Sequence, residues 1–388
     1  MRQIFHSSYN DLMLTERKNW FDLNPWKARL LVLILSIGFL ELVTRLAVIA
    51  NMLPYQPYPT SETPQLKDYV HPIVGMWRYP NASEYVHESC FDITYRSNSI
   101  GALDQERSLR SGDERRVIVL GDSFAEGFGV EPVDRFSNIL ESQTGDEHLN
   151  FAMGGTGTVH QWLTYESIAA AFDHSEVHVY VLPYNDFLNN NPPDSLKAAY
   201  IPLLRETNDG FEIYYPMDFK DRPREIRSTK TRIKNGIDNR IYIANVLRWS
   251  ARLIKNWFRG PHRSERDVQG PNYYDSYSKL DWKIFAYSLK QISELAGERE
   301  VYVFTIPYFK DFEFAQENGY RFALVDRLSE LSERLENIQY VDLLPTFLRD
   351  AGRNRRDFAD YLLPCDLHFN QIGNEIIAAA VKEALSVQ

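Results

Sequence analysis

A serine on a tight turn after an apolar run is the residue of this chain with the clearest chemistry. The run Val117–Leu120 is typical of a buried strand of a parallel sheet, and a glycine and an aspartate separate it from Ser123. Open α/β sheets bind ligands at the carboxyl ends of their strands, so Ser123 is predicted at that edge. A serine hydroxyl needs a base to act as a nucleophile, and His368, two residues after Asp366, could provide one.

Two more polar or glycine-rich turns follow strand-like runs. Gly155 lies in the first turn, and Asn185 follows the apolar run 177–182. Gly-Asp-Ser alone is also an ordinary turn sequence. Parallel strands end at a common edge, however, and three such turns together with His368 favour a single site there.

These segments resemble the four ordered sequence blocks of the SGNH (GDSL-type) hydrolases. Ser123 matches the nucleophile block, Gly155 and Asn185 match the next two, and His368 with Asp366 matches the last. The resemblance covers about residues 95 to 385. It implies an α/β three-layer sandwich with a central parallel sheet of the flavodoxin type. It also implies a catalytic triad of Ser123, His368 and Asp366, without a metal or cofactor. The oxyanion hole would consist of the Ser123 and Gly155 N–H groups and the Asn185 amide.

The chain departs from the family pattern at two points. Tyr184 stands where a glycine usually precedes the block asparagine, and the last block is Asp-x-His instead of Asp-x-x-His. The shorter block is similar to that of alginate O-acetyltransferase-like proteins. The sequence around residues 98–101 resembles that of membrane-anchored envelope members of the family. The resemblance thus implies ester hydrolysis or O-acyl transfer on a cell-envelope glycan or lipid-linked saccharide, within a polysaccharide-modification complex. The alternative is a non-catalytic envelope protein that binds polysaccharide or partner subunits in the same cleft.

An apolar stretch from Leu30 to Leu53 has the length of a membrane span. Glu41 and Arg45 interrupt it at a spacing that lets them pair on one helix face. Four basic residues between positions 17 and 29 predict a cytoplasmic segment 1–29, an anchor at 30–53 in the inner membrane, and a periplasmic remainder. A cleaved signal peptide and a buried soluble helix are the competing interpretations.

The rest of the chain divides by composition. Six prolines between residues 54 and 82 predict an extended spacer over 54–94. Residues 95–388 are predicted to form the catalytic domain, and the net charge of −10 makes nucleic-acid binding improbable. Strands are predicted at 116–120, 148–153, 177–182, 300–306 and 338–343, and helices near 134–144, 158–172, 322–336 and 371–386.

An insertion at 188–278 interrupts this alternation. Residues 220–266 contain fourteen Lys or Arg and four Asp or Glu, a local balance of +10 that leaves −20 for the remainder. Residues 240–258 combine apolar helical spacing with basic residues. This pattern fits a lid helix packed on the core, a membrane-surface helix, or a groove for an anionic polymer. Its place in the fold predicts that it covers the cleft, where Arg248, Arg252 and Lys255 would attract an anionic acceptor.

Four other polar positions and two cysteines complete the expectations. Cys90 and Cys365 could pair in an oxidising compartment or stay separate buried thiols. Asp122 and Asp186 are expected to bond to loop backbone, and His160 and His174 to lie on helix surfaces.

Overall fold

The structure is a computed structural model. It describes residues 19–50, 52–53, 55, 58, 65–88, 90–112, 114–193, 200–208, 210–216, 229–259 and 272–386. At 68, 229, 232, 252, 253 and 255–259 the description covers the backbone alone.

A five-stranded parallel sheet forms the centre of the molecule, in the order β11-β10-β7-β5-β6. Its strands are β5 (Arg116–Leu120), β6 (Glu147–Asn150), β7 (Glu176–Val181), β10 (Glu300–Thr305) and β11 (Ile338–Asp342). β5 and β7 are buried along their whole length, because helices cover both faces of the sheet. The fold is therefore the predicted α/β sandwich, and all five predicted strands are present.

The helices of this sandwich pack in two groups. They are α3 (Ser123–Glu126), α4 (Phe136–Thr144), α5 (Thr158–Ser167), α6 (Pro183–Asn190), α9 (Lys279–Ala296), α10 (Phe309–Asn318), α11 (Ala323–Arg334), α12 (Leu344–Asn354) and α13 (Gln371–Ser386). α9 packs on α5 and α6, whereas α13 packs on α4. The predicted helices correspond to α4, α5, α11 and α13, and the sequence patterns missed α6, α9, α10 and α12.

The strand order reverses between β5 and β7. The chain goes from β5 outward to β6, and then returns past β5 to β7, β10 and β11. Right-handed crossovers place the helices of the two directions on opposite faces, which opens a crevice at the carboxyl ends of β5 and β7. Ser123 follows β5 and Asn185 follows β7, so both lie at this crevice.

Residues 66–96 fold as two antiparallel hairpins, which differs from the extended spacer predicted up to residue 94. They are β1 (Tyr69–His71) with β2 (Gly75–Trp77), and β3 (Ser83–His87) with β4 (Asp92–Arg96). Trp77 is buried in the main core and its indole N–H donates to the Ile100 carbonyl at 2.8 Å. Aromatic residues within the predicted spacer, such as Trp77, are thus part of the folded domain.

Helix α1 (Trp20–Leu23) precedes a long apolar helix, α2 (Pro25–Ile49). By length and composition α2 could cross a membrane, and a signal sequence near the N-terminus would pass the same test. The helix begins before the predicted Leu30 and ends at Ile49, short of Leu53, because Ala50 caps it.

The described part of the insertion contains a hairpin of β8 (Leu203–Thr207) with β9 (Gly210–Tyr214), followed by helices α7 (Thr229–Arg240) and α8 (Tyr242–Arg259). Helical structure is confirmed over the predicted segment 240–258, apart from a break at Ile241. The segments 194–199, 217–228 and 260–271 lie outside the described residues, and the last two carry part of the basic run.

Candidate active site

Ser123 is the first residue of α3, at the turn that follows β5. The Asp122 side chain caps this helix by accepting the Phe124 N–H at 2.9 Å. A Cβ at Gly121 would lie 2.5 Å from the Ala125 Cβ, so only glycine lets the turn pack this closely on the new helix. Strand end, glycine and cap together fix the position of the Ser123 hydroxyl.

His368 reaches Ser123 from a loop near the end of the chain. Its Nε2 lies 2.7 Å from the Ser123 Oγ, and its Nδ1 contacts a carboxylate oxygen of Asp366. The same Asp366 oxygen accepts the His368 N–H at 3.0 Å. The structure therefore brings the Ser123 hydroxyl, the His368 imidazole and the Asp366 carboxylate into one row of contacts, despite the shortened Asp-x-His spacing.

Backbone pairing and a disulfide hold the loop that carries His368. The Leu363 N–H donates to the His368 carbonyl at 2.8 Å, and Leu362 pairs with Phe369 across the loop. A disulfide joins Cys365 to Cys90, in the turn between β3 and β4. Of the two possibilities left open by the sequence, the structure shows the pairing, and it lies directly beside Asp366.

Two aromatic rings flank the imidazole. The His368 ring lies 4.8 Å from that of Phe124 and 4.7 Å from that of Phe128. The His368 side chain is 22% exposed, so one edge remains open to a substrate. Burial alone would raise the pKa of Asp366. Hydrogen bonds from the His368 ring and from the His368 and Leu367 N–H groups outweigh it and lower that pKa, which keeps Asp366 ionised.

A second turn lies against the nucleophile. A Cβ at Gly154 would be 3.1 Å from the Ser123 Cβ, and its N–H donates to Glu126. Gly155 adopts a φ of +80°, which favours glycine. Among the described residues, no acceptor is present for the N–H groups of Ser123 and Gly155. The Gly154 N–H is therefore not free to donate to a substrate, because Glu126 already accepts it, whereas the Gly155 N–H is free within the described part of the chain.

Asn185 lies in the first turn of α6, not in the loop that the sequence predicted. Pro183 occupies the first position of this helix, where its missing N–H has no consequence. The Asn185 Nδ2 donates to Asp122 Oδ2 at 2.9 Å. An amide nitrogen has two N–H donors, and the second one has no acceptor among the described residues. Asp122 thus caps α3 and also orients the amide.

Two buried carboxyl groups lie beneath the site. Asp186 accepts the Leu182 N–H at 2.7 Å, and Asp122 accepts that of Phe124, so both bond to backbone as expected. Burial raises the pKa of both, and for Asp186 the nearby charge of Asp122 raises it further. The Asp186 Oδ1 has no hydrogen-bond partner, which fits a protonated Asp186.

An ion pair that the sequence did not predict lies behind Ser123. Glu126 lies three residues after Ser123 on α3 and binds the buried Arg78 at 2.7 Å. The Arg78 guanidinium also donates to the Ala152 carbonyl at 2.9 Å. Glu126 could have been found from its helical spacing to Ser123. Arg78 could not, because the hairpin that brings it there is remote in sequence.

Tyr184 packs into an aromatic cluster beside the site. Its ring stacks on that of Tyr308 at 4.6 Å and contacts that of Tyr273 at 4.7 Å. Tyr308 in turn meets the edge of Phe124, which flanks His368. The tyrosine at this position therefore adds a ring to the aromatic cluster that extends from His368.

The prediction for His160 and His174 was wrong. His160 is 2% exposed and contacts the Met76 carbonyl through Nε2 at 2.9 Å, because α5 is enclosed on all sides. His174 lies after a short helix and bonds to the Tyr165 hydroxyl at 2.8 Å. Both imidazoles have internal structural contacts.

Three solved structures match the chain over most of its length at low sequence identity. The chain shows fold-level similarity to a lipolytic protein of the G-D-S-L family from Veillonella parvula, at 11% identity and a TM-score of 0.36, covering 70% of this chain and 98% of that one. A putative acylhydrolase from Bacteroides fragilis matches at 12% identity and a TM-score of 0.35, over 71% and 89% of the two chains. A two-domain esterase active on acetylated mannans matches at 10% identity and a TM-score of 0.36, over 70% and 49%.

No curated protein matches the chain. The model of the GDSL-like lipase/acylhydrolase family, by contrast, matches residues 119–376, which is most of the catalytic domain. The chain therefore belongs to the GDSL-like lipase/acylhydrolase family and is an ester-hydrolysing enzyme.

Proposed function

We propose that Ser123 is the nucleophile of an esterase or O-acyltransferase that acts on an acylated cell-envelope glycan or lipid-linked saccharide. The observation that carries this proposal is the 2.7 Å contact between Ser123 Oγ and His368 Nε2 with Asp366 on the opposite ring nitrogen. In this arrangement the imidazole can take the hydroxyl proton while the carboxylate fixes its tautomer.

In the first half-reaction, Ser123 Oγ attacks the ester carbonyl and its proton moves to His368 Nε2. The tetrahedral oxyanion accepts hydrogen bonds from the Ser123 and Gly155 N–H groups and from the second N–H of Asn185. One such donor typically lowers the barrier by about 2.7–4 kcal/mol. When the C–O bond breaks, His368 gives its proton to the leaving alcohol and the acyl group stays on Ser123.

In the second half-reaction, His368 removes a proton from water or from a saccharide hydroxyl, which attacks the acyl-enzyme. Water gives hydrolysis, and the saccharide gives transfer. The Asp-x-His block, similar to that of alginate O-acetyltransferase-like proteins, favours transfer of an acetyl group.

The setting of this activity is the outer face of the inner membrane. α2 would serve as a single-pass anchor, with the basic residues before it in the cytoplasm and the catalytic domain in the periplasm. A disulfide beside the catalytic loop supports this location, because disulfides persist in oxidising compartments. Partners there would be the acylated saccharide and other proteins of a polysaccharide-modification complex.

Labelling of the full-length protein with a fluorophosphonate probe tests the nucleophile. We expect the label on Ser123 in the wild type and none in Ser123→Ala, with hydrolysis of p-nitrophenyl acetate reduced to background. Ser329→Ala is the matched control, because Ser329 lies on the exposed surface of α11. Activity of Ser123→Ala within a few-fold of the wild type would refute the assignment.

Product analysis separates the two reactions. The protein is given an acetyl ester donor with and without a deacetylated glycan, and the acetyl group is followed by mass spectrometry. Transfer predicts acetylated glycan that is absent in Ser123→Ala, whereas free acetate alone identifies a hydrolase.

A further inference from the structure

The α7–α8 hairpin buries several polar residues and exposes several large apolar ones, alongside the exposed Lys230 and Lys234. Asn235, Asp238 and Asn245 are buried. The exposed apolar side chains, which we call the outer stripe, are Ile233, Ile237, Ile241, Leu247 and Ile254. Ile233 is 60% exposed and Leu247 63% exposed. A stripe of five exposed large apolar side chains is unusual on a surface that faces water, and it is not what a lid helix with its whole apolar face on the core would show.

The polar interior of the hairpin is closed on itself. Arg248 binds Asp238 Oδ2 at 2.5 Å and Asn235 Oδ1 at 2.9 Å, and its guanidinium lies 3.7 Å from the centre of the Tyr58 ring. Its charge is therefore neutralised within the protein, which corrects the expectation that Arg248 attracts an acceptor in the cleft. Arg252 and Lys255, named in the same prediction, have side chains outside the description.

The ends of both helices are bound by the two charged residues of α2. Glu41 accepts the N–H groups of Tyr242 and Ile243 at 2.9 and 3.1 Å, at the start of α8. Arg45 donates to the Arg240 carbonyl at 2.6 Å, at the end of α7. Helix ends have unsatisfied backbone groups and partial charges of these signs. The charges that interrupt the apolar stretch of α2 are thereby explained as the docking site of the hairpin.

The position of this contact along α2 indicates how deep the α7–α8 hairpin would lie in a bilayer. Glu41 lies eight residues before Ile49, the last residue of α2. At 1.5 Å per residue, the start of α8 meets α2 about 12 Å before its end. If α2 crosses a bilayer, as the proposed anchor requires, the break between α7 and α8 lies below the outer surface. Interfacial helices typically lie about 5–10 Å deep in the membrane, a depth comparable to the distance of about 12 Å between this contact and the end of α2.

We infer that the α7–α8 hairpin is embedded in the outer leaflet beside α2, with the outer stripe in contact with lipid acyl chains. Three observations on this surface converge. Large apolar residues of the hairpin are exposed, its buried Asn235 and Asp238 are bound by Arg248, and α8 packs on α2, whose apolar side chains are also exposed. The inference rests on the proposed anchor and adds a second membrane-embedded element to it.

The hairpin also connects the membrane to the active site. The Trp249 ring of α8 lies 5.4 Å from the His87 ring at the end of β3. The turn after β3 carries Cys90, which is bonded to Cys365 next to Asp366. A hairpin held in the lipid would therefore keep the catalytic loop near the headgroup layer, where a lipid-linked saccharide presents its acyl groups.

Photo-crosslinking in vesicles of phosphatidylcholine and phosphatidylglycerol tests the inference. The full-length protein carries p-benzoyl-phenylalanine in place of Ile237 or Leu247. The same group replaces Leu42 of α2 as the lipid-facing reference and Leu295 of α9 as an exposed reference on the catalytic domain. We expect lipid adducts at Ile237 and Leu247 within about threefold of the yield at Leu42 and roughly tenfold above that at Leu295.

Each outcome decides the question. Adducts at Leu42 but background yields at Ile237 and Leu247 overturn the embedded hairpin and leave the anchor intact. Background yields at all four positions overturn the anchor and the hairpin together, while the Ser123 labelling remains a separate result. Protein–protein adducts at Leu247 show an interface between copies instead.

Variants of Glu41 check the docking contact. Glu41→Ala should lower the lipid adducts at Leu247 several-fold, because α8 loses the acceptor for its first N–H groups. Glu41→Gln retains an amide oxygen and should restore part of the yield. Equal yields in both variants and the wild type would show that Glu41 does not hold the hairpin.

Discussion

His368 receives its orientation from a single carboxylate, so the effect of removing that charge measures the role of Asp366. Asp366→Asn keeps an oxygen for the ring N–H but removes the charge that stabilises the imidazolium. We expect kcat for a small acetyl ester to fall by roughly 10²-fold, and by less than in His368→Ala, which loses the base itself. Steady-state kinetics of both variants with p-nitrophenyl acetate provide the comparison.

Asp360→Asn is the control for this experiment. Asp360 is a nearby carboxylate, but it accepts the Asp357 N–H at 2.9 Å and caps a short helix. Its replacement should leave kcat unchanged. A fully active Asp366→Asn enzyme would instead point to a Ser–His dyad.

The buried Asp186 predicts a pH-dependent stability. Its pKa is raised in the folded state, so above about pH 4 the unfolded chain releases a proton that the folded chain keeps. Folding stability contributed by this residue therefore falls as pH rises from about 4 towards the folded pKa. Asp186→Asn should remove the loss, and its stability relative to the wild type should rise with pH by about 1 kcal/mol per pH unit in this window.

Urea unfolding of the two proteins at a series of pH values between 4 and 7 provides the measurement. A difference in unfolding free energy that does not change with pH would show that Asp186 is ionised in the folded protein.

The positions of three proposed site residues could be predicted because they follow strands, whereas contacts between remote segments could not. Ser123, Gly155 and Asn185 stand directly after apolar runs, which are visible in the sequence. Arg78 approaches Ala152 and Glu126 only after the first hairpin has packed on the core. The burial of His160 likewise follows from packing around α5, and no local sequence pattern predicts it.

At the level of elements, the disulfide joins the β3–β4 turn to the catalytic loop. The double variant Cys90→Ser with Cys365→Ser removes a link between residues 275 positions apart in sequence. A loss of stability of about 2–5 kcal/mol is typical for such a bond. We also expect a lower kcat, because Cys365 lies three residues before His368 and the loop that positions His368 would lose the disulfide that holds it.

Thermal unfolding and ester kinetics of the double variant measure these effects, and reduction of the wild type with dithiothreitol should reproduce them. A destabilised variant with unchanged kcat would show that the backbone pairing of Leu363 and His368 suffices to position the base.

Elements with a clear hydrophobic period were predicted, and those with a mixed pattern were not. The strands of the main sheet stand out as apolar runs bounded by turns. α6 was read as a loop because its polar residues follow β7, although Pro183 at its first position was a usable signal. The amphipathic pattern of α8 identified a helix, but the same pattern fits water or lipid on its apolar face. Contacts of Glu41 and Arg45 with both helix ends decide how the hairpin lies.

At the scale of the whole molecule, charge and location are coupled. The basic residues of the insertion stand in an otherwise acidic chain, and its described helices attach to α2, the one helix in the described part of the chain that could span a membrane. Anionic headgroups attract such a segment, while the acidic remainder is repelled from them. In the proposed membrane location, this charge distribution would orient the molecule with its hairpin towards the membrane and its acidic remainder away from it.

This orientation predicts the compartment of the carboxyl terminus. With residues 1–29 in the cytoplasm and one span at α2, a reporter fused after Gln388 faces the periplasm. Alkaline phosphatase, which needs oxidised cysteines, should be active there, and green fluorescent protein exported in an unfolded state should be dark. A cleaved signal sequence would give the same reporter result but would release the mature protein from the membrane after an alkaline wash. Active alkaline phosphatase together with retention of the full-length chain is thus the expected combination, and a fluorescent cytoplasmic fusion would refute the topology.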